Sequence, residues 1–262
     1  EVWRRQGGGP GGKVCKGKRV DAMQAAKNGG LAAIGGSGGF RDDGELKRAG
    51  ADALVSSPEA LLSLFESGML NVDAICKAFT ARGFGFTYFP TASEARSYLT
   101  DSCKGKSVSL GGSMTLKALG FPEAFQYGTS VHWHWVRKGE YFQKPDIYLS
   151  SANALSETGE IVNIDGTGNR VSATLFGPKR CIFVCGVNKL CPDLESAVER
   201  ARNIAAPLNA KRLGVKTPCA VDGKCNACKS PERICRAKTI HKGPPHGMAK
   251  CEIVLNGEAP GH

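Results

Sequence analysis

Four cysteines, Cys219, Cys225, Cys228 and Cys235, stand as C-x5-C-x2-C-x6-C between Thr217 and Arg236. The two-residue step lets one tight turn aim two sulfurs at a common centre, and thiols this close point to a metal before a disulfide pair or free thiols. Thiolate is a soft ligand that selects zinc, Cu(I) or an iron–sulfur cluster. Structural zinc usually joins two short knuckles across a longer insert. Here the second pair, Cys228 and Cys235, encloses Pro231 and Arg233 and is too wide for a knuckle. Cysteines strung along one irregular loop suit a bulkier [4Fe-4S] cubane, whose negative charge Lys224, Lys229, Arg233 and Arg236 would offset. The spacing therefore predicts a [4Fe-4S] cluster, with zinc as the alternative. Cys219 is the least necessary of the four, since Cys225, Cys228 and Cys235 would suffice and leave one iron open.

Two further stretches carry polar chemistry. Ser107–Leu110 reads as a short strand running into Gly111-Gly112-Ser113-Met114-Thr115, and glycines between a strand and a helix start allow an anion to approach free backbone amides. A plain tight turn accounts for the same residues. Glu160–Asp165 reads as a strand with Asn163 inside its apolar run, followed by Gly166-Thr167-Gly168-Asn169-Arg170. Arg170 can grip a carboxylate or phosphate through two parallel hydrogen bonds, and Asp165 or Glu157 can serve as acid or base. The alternative is a hairpin whose Asp and Asn merely shape a turn. The candidate catalytic residues are thus Glu157, Asp165 and Arg170. The candidate anion-binding residues are Gly111, Gly112, Ser113, Thr115, Asn153, Asn163, Asn169 and Arg170. His132 and His134 alternate with Trp133 and Trp135 as on a strand, where the histidines form a polar face or, less often, chelate a metal.

The net charge of +11 is concentrated in residues 1–20, with six Lys/Arg, and in residues 210–250, with ten. The second group surrounds the cysteines, and residues 205–250 lack the aromatic side chains that stack on bases, which argues against nucleic acid as the partner. Seven of the 11 cysteines lie scattered in apolar segments, as in a reducing compartment. No apolar run approaches the ~20 residues of a membrane span, and the basic, Gly-rich start lacks the apolar core of a secretion signal. These features place the protein in the cytoplasm, without membrane insertion.

The elements that must position these residues alternate as in an α/β fold. A disordered lead over 1–16 is followed by helix Val20–Asn28, strand Leu31–Ile34, helix Asp43–Ala49, strand Ala53–Val55 and helix Pro58–Phe65. A second unit, 68–262, opens with a helix over Val72–Arg82, a strand Phe84–Phe89 and a helix capped at Thr91-Ala92-Ser93-Glu94. Asp146–Leu149, Val171–Leu175, Arg180–Val187 and Cys251–Leu255 read as strands, the polar run Ser150–Gly159 reads as a loop or turn, and Asp193 caps a helix running to about Ala205, before Pro207.

Residues 17–67, from Gly17-Lys18-Arg19-Val20-Asp21 through Val55-Ser56-Ser57-Pro58-Glu59, resemble the C-terminal piece of a haloacid-dehalogenase-type phosphatase. Lys18 stands where that family has a metal-binding acid, and the chain lacks Asp-x-Asp, so the resemblance implies an inactive appendage, not a phosphatase. From about 69 to 262 the chain resembles the LUD (lactate utilisation, DUF162-type) family. The resemblance rests on Val108–Thr115, Ser151–Gly159, Ile161–Val171, Phe176–Lys179, Asn188-Lys189, Glu199-Arg200, Ala205–Ala210, Thr217–Cys219, Gly223–Cys228 and Arg233–Cys235. It implies a mainly parallel sheet between helices, like sugar-phosphate isomerases and CoA transferases, with a small α/β N-terminal appendage and a Cys-rich C-terminal loop. It also implies a part in oxidising L-lactate to pyruvate beside iron–sulfur partner subunits, with a small carboxylate or phosphate as ligand. Two readings stand: an oxidoreductase subunit, or a non-catalytic metabolite-binding or assembly protein with structural zinc.

Overall fold

The computed structural model describes residues 71–125, 129–135, 144–258 and 260–261, together with four strands and residues 45, 48 and 49 nearer the amino terminus. The chain divides into two compact units, Glu1–Asn71 and Val72–His262. In the first, β1 (Val2–Arg4), β2 (Lys13–Gly17), β3 (Ala32–Gly36) and β4 (Ala53–Val55) form one sheet in that order; β1 is antiparallel to β2 and the other pairs are parallel. Val2–Arg4 and Lys13–Gly17 thus pair as strands where a disordered lead is expected. The helices expected at Val20–Asn28 and Pro58–Phe65, and the Lys18 and Asp21 positions, lie outside the described residues.

The second unit is an α/β layer structure. Helix α1 (Val72–Ala81) leads to β5 (Gly85–Phe89), and α2 (Ala92–Cys103) to β6 (Ser107–Leu110). Next come α3 (Met114–Ala118), β7 (Ser130–Trp133), β8 (Ile147–Ser150), β9 (Ala154–Ser156), β10 (Ile161–Asp165) and α4 (Asn169–Leu175). Then β11 (Arg180–Gly186), β12 (Leu190–Cys191), α5 (Leu194–Arg200), α6 (Ala206–Leu213), α7 (Pro218–Asp222), β13 (Ala237–His241) and β14 (Lys250–Asn256) complete it. A six-stranded, wholly parallel sheet runs β5-β14-β11-β8-β6-β7. One face buries Val108, Leu110, Leu149, Ile182, Val184 and Val254 in a core shared with Leu99, Leu116 and Phe121 of the α2–α3 layer. The other meets a smaller sheet, β12-β9-β10-β13, where Phe183 of β11 contacts His241 of β13 with ring centroids 5.4 Å apart. Helix α5 and the turn after it cover the far side of that sheet through Ala197, Val198 and Ala201 on Ala154, Val162 and Ile240. The strands at 147–150 and 180–186 are buried on both faces, which is why they read as largely apolar runs, whereas 107–110, Ser-Val-Ser-Leu, buries serines as well.

Three local expectations are corrected. Residues 171–175 are helical, not a strand: Gly168, with φ +87°, turns the chain, and Asp165 Oδ2 caps the start by accepting from Val171 N–H at 3.3 Å. Ala154–Ser156 is a strand, where the polar run 150–159 suggests a loop. The helix from Asp193 does not stop at Pro207. It passes through a π-helical turn, Ala201–Ala205, into α6, because the wider turn accommodates Pro207, which lacks an N–H, near the start of the next segment.

Candidate functional site

The Cys-rich segment is folded by ordinary helix and turn signals. Pro218 opens α7, and Gly223, with φ +74°, closes it. Between Cys225 and Cys228, Ala227 takes a left-handed φ of 49°, a cost of about 1 kcal/mol. In that geometry its N–H points back to Cys225 Sγ at 3.4 Å. The same sulfur accepts from Arg202 Nε at 3.3 Å, delivered by the π-helical turn. Burial raises the Cys225 thiol pKa, but hydrogen bonds from Arg202 and Ala227 and the charges of Arg202 and Arg233 outweigh it and set it below the ordinary value. The Arg233 guanidinium ties Cys228 O at 3.1 Å to Cys235 O at 2.8 Å, and Asn203 Oδ1 accepts from Cys225 N at 3.3 Å.

All four cysteines are free thiols and line one cavity of about 320 Å³, with Arg202, Arg233, Arg236 and Lys238 also on its wall. Among the described residues no three His, Cys, Asp or Glu side chains converge closely enough to hold a single metal ion. The cavity wall carries four cysteines with arginines and a lysine beside them. That chemistry fits a polynuclear anionic cluster in charge and in kind.

The second candidate region is the carboxyl edge of the large sheet. Three successive carbonyls there are each held by a cation: Ser151 O by Arg170 at 3.2 Å, Ala152 O by Lys189 at 3.1 Å and Asn153 O by Arg200 at 2.6 Å. Arg170 also donates to Asn163 Oδ1, to Asn153 Oδ1 at 3.2 Å and to Ile164 O at 2.6 Å, and lies 3.6 Å from Asp165 Oδ2. Its donors are engaged within the protein. Asp165 Oδ1 accepts from Thr167 N at 3.0 Å and Gly168 N at 2.9 Å, so this carboxylate shapes the turn into α4. Asn163 leaves its Nδ2 buried without a partner among the described residues.

Lys189 enters the sequence reading only as part of the family resemblance and not as a candidate site residue. It is 2 % exposed, and its Nζ lies 2.8 Å from both Thr115 Oγ1 and Ser151 Oγ, with no carboxylate in contact among the described residues. Burial pushes its amine down from 10.5 to about 8; Arg200 and Arg170 add to that push and Cys185 opposes it. A lone lysine after an apolar strand is unremarkable in sequence, and only closure of the Ser151 loop and α3 over it reveals its setting. Thr115 Oγ1 also donates to Pro260 O at 3.1 Å.

The glycine turn sits beside this cluster but is filled by side chains. A Cβ on Gly111 would come within 2.5 Å of Tyr148 Oη and 3.3 Å of Arg170 Cγ, and one on Gly112 would collide with the Trp135 indole. Ser113 caps α3, accepting from Leu116 N at 3.2 Å. Gly111 and Arg170 are thus brought together, as are Thr115, Asn153 and Asn163 around the three cations. Glu157 lies after β9, its N–H bonded to Cys191 O at 2.8 Å, and neither it nor Asp165 lines either of the two cavities described. Asn169 does line the second, a space of about 240 Å³ shared with Ser109, Tyr148, His132 and His134.

Compared with known proteins, the chain matches the LUD domain family over residues 72–255. Among solved structures, it is similar to a DUF162 family protein from Deinococcus radiodurans, with 15 % identity, a TM-score of 0.44, and coverage of 72 % of this chain and 99 % of that one. No curated protein matches the chain. The family match begins at residue 72, and nothing in these comparisons supports the phosphatase resemblance of residues 17–67.

Proposed function

The chain belongs to the LUD domain family, and from that premise we propose that it is a cytoplasmic subunit or accessory of L-lactate utilisation, carrying a [4Fe-4S] cluster on Cys219, Cys225, Cys228 and Cys235. The observation that supports the reading is that four cysteines, spread over α7, a turn and the approach to β13, line one cavity whose wall also carries Arg202, Arg233, Arg236 and Lys238. Arg233 and Asn203 hold the loop through its backbone, and all four cysteines line that space. A bound cluster would supply one-electron transfer toward iron–sulfur partner subunits. Arg202, on Cys225 Sγ, would stabilise thiolate character and offset cluster charge.

A small anionic metabolite completes the proposal, binding at the carboxyl edge of the sheet. Crevices at that edge of open α/β sheets are where ligands bind. Arg170, Lys189 and Arg200 make this edge electropositive while Thr115, Asn153 and Asn163 order it. Among the described residues no helix is long and apolar enough to cross a membrane.

Anaerobic purification tests the metal centre. The expected product is brown protein with about four irons and sulfide per chain, and Cys228→Ser loses the colour while keeping its far-UV circular dichroism. Colourless anaerobic protein with a single zinc and no sulfide overturns the cluster and leaves a structural zinc clip.

A further inference from the structure

Beyond β14 the chain turns back across the carboxyl edge of the large sheet. Gly257 N–H donates to Phe89 O, at the end of β5, at 2.9 Å, and Glu258 N–H donates to Asn256 Oδ1 at 3.0 Å. The carbonyls of Pro260 and Gly261 then meet side chains from other elements: Thr115 Oγ1 of α3 donates to Pro260 O and Asn188 Nδ2 to Gly261 O, both at 3.1 Å. Gly257, Glu258, Pro260 and Gly261 thus belong to a strap that passes the ends of β5 and β11 and reaches α3.

The strap passes too close for a side chain beneath it. A Cβ on Gly186, the last residue of β11, would stand 2.5 Å from Glu258 O and 2.6 Å from Pro260 Cδ. Gly186 has φ −88° and ψ 160°, a backbone that any residue adopts, so what this glycine provides is the room the strap fills. A Cβ on Gly261 would likewise come within 2.8 Å of Thr115 Oγ1.

Next to the strap lies a group that folding hides at a cost. Thr115 has one hydroxyl proton, and giving it to Pro260 O leaves its oxygen to accept from Lys189 Nζ at 2.8 Å and from Ser151 Oγ at 3.3 Å. The strap is therefore one hydroxyl away from the buried Lys189 amine, whose pKa burial pushes down to about 8. Yet it is held lightly. Its ties to Thr115 and Asn188 are single hydrogen bonds, Glu258 is exposed, and Gly257, Pro260 and Gly261 are half-buried. Segments with few buried contacts open at a small fraction of the global unfolding free energy. Opening would free the Thr115 hydroxyl and the Asn188 amide, two donors now spent on strap carbonyls, at the edge where α/β sheets bind ligands.

We propose that this strap is a displaceable cover, which closes the carboxyl edge over Thr115, Asn188 and Lys189 when seated and opens them to solvent and ligand when released. The inference deepens the anion-binding half of the function proposed above by giving that edge its entrance; it rests on that reading only for what would enter, and it is independent of the cysteine centre.

Reductive methylation of the full chain with formaldehyde and cyanoborohydride, at about pH 8 where the amine titrates and read lysine by lysine by mass spectrometry, tests it. In wild type, Lys189 should react at least about tenfold more slowly than exposed Lys211. Gly186→Ala, whose Cβ would press on Glu258 O and Pro260, should speed labelling of Lys189 about tenfold. Asn188→Ala, which removes one tie, should speed it about fivefold. Cys103, 0 % exposed in α2, should stay equally unreactive to iodoacetamide in all three proteins, as release of the strap alone requires. Lys189 reacting as fast as Lys211 in wild type, labelling unmoved in both variants, or Cys103 reactivity rising in step with that of Lys189 overturns the proposal. Gated labelling in a protein that is colourless or binds no anion leaves the strap standing and removes only that half of the proposed function; ungated labelling in a brown, anion-binding protein removes the strap alone.

Discussion

Replacing Lys189 by Met isolates what a buried amine does to stability. In the folded chain the amine titrates near 8 against an ordinary 10.5, with burial the main cause. Between those two values the unfolded chain holds the extra proton, so this group makes stability rise with pH. Below about pH 8 its full cost is present, and above about pH 10.5 it is gone. The depression corresponds to about 3 kcal/mol in total, of which about 2.5 kcal/mol is recovered between about pH 7 and pH 10. Buried thiols act in the opposite sense: burial lifts Cys103 from 9.0 to about 12 and Cys191 from 9.0 to about 11. Those thiols remain protonated while the unfolded chain ionises, so they lower stability as pH rises past about 9. The wild-type profile alone mixes the two effects, and the difference between wild type and Lys189→Met cancels the thiols. Losing hydrogen bonds to Thr115, Ser151 and Ala152 adds a constant offset of about 2–4 kcal/mol. Urea unfolding followed by tryptophan fluorescence from about pH 7 to pH 10 should therefore show wild type gaining about 2.5 kcal/mol on the variant. Parallel profiles would refute a buried, depressed amine at this position.

Two further outcomes follow from geometry. Gly111→Ala should cost about 1–3 kcal/mol, because its Cβ would reach 2.5 Å from Tyr148 Oη, and adding Tyr148→Phe should recover most of the loss in urea unfolding. Arg170→Met should cost about 3–5 kcal/mol, since it strips donors from Ser151, Asn153, Asn163 and Ile164 and leaves Asp165 without its guanidinium; a Tm within a degree or two of wild type would contradict that role.

The parts legible in sequence are those whose cause is local. The cysteine spacing, the capping box of Thr91 and Glu94, and the apolar runs of β8 and β11 declare themselves within a few residues. What was missed depends on contacts across the fold. The β-branched Val171 and Thr174 suggested a strand, but α4 forms because Asp165 and Gly168 impose a helix start there. Arg170 has the chemistry of a ligand clamp, yet its partners Ser151 and Asn153 arrive from the preceding loop and turn it inward. The glycines at 111 and 112 read as room for an anion; the room belongs to Tyr148 and Trp135.

Asp165 shows why the two cavities keep a fixed relation. Its neighbour Ile164 lines the cysteine cavity, and its carbonyl accepts from Arg236 N at 3.0 Å on the Cys-rich segment. A Cβ on Gly166 would stand 3.0 Å from Ile234 O, so the turn lies directly against that segment. On the other side both oxygens of the Asp165 side chain accept backbone N–H groups at the start of α4, whose Asn169 and Ser172 line the second cavity. One residue thus anchors the cysteine loop with its backbone and α4 with its carboxylate, and Arg170 locks the turn to the Ser151 loop. Because that carboxylate is engaged on both oxygens, its contribution is placement, and a proton-transfer role would require breaking the cap that positions both walls.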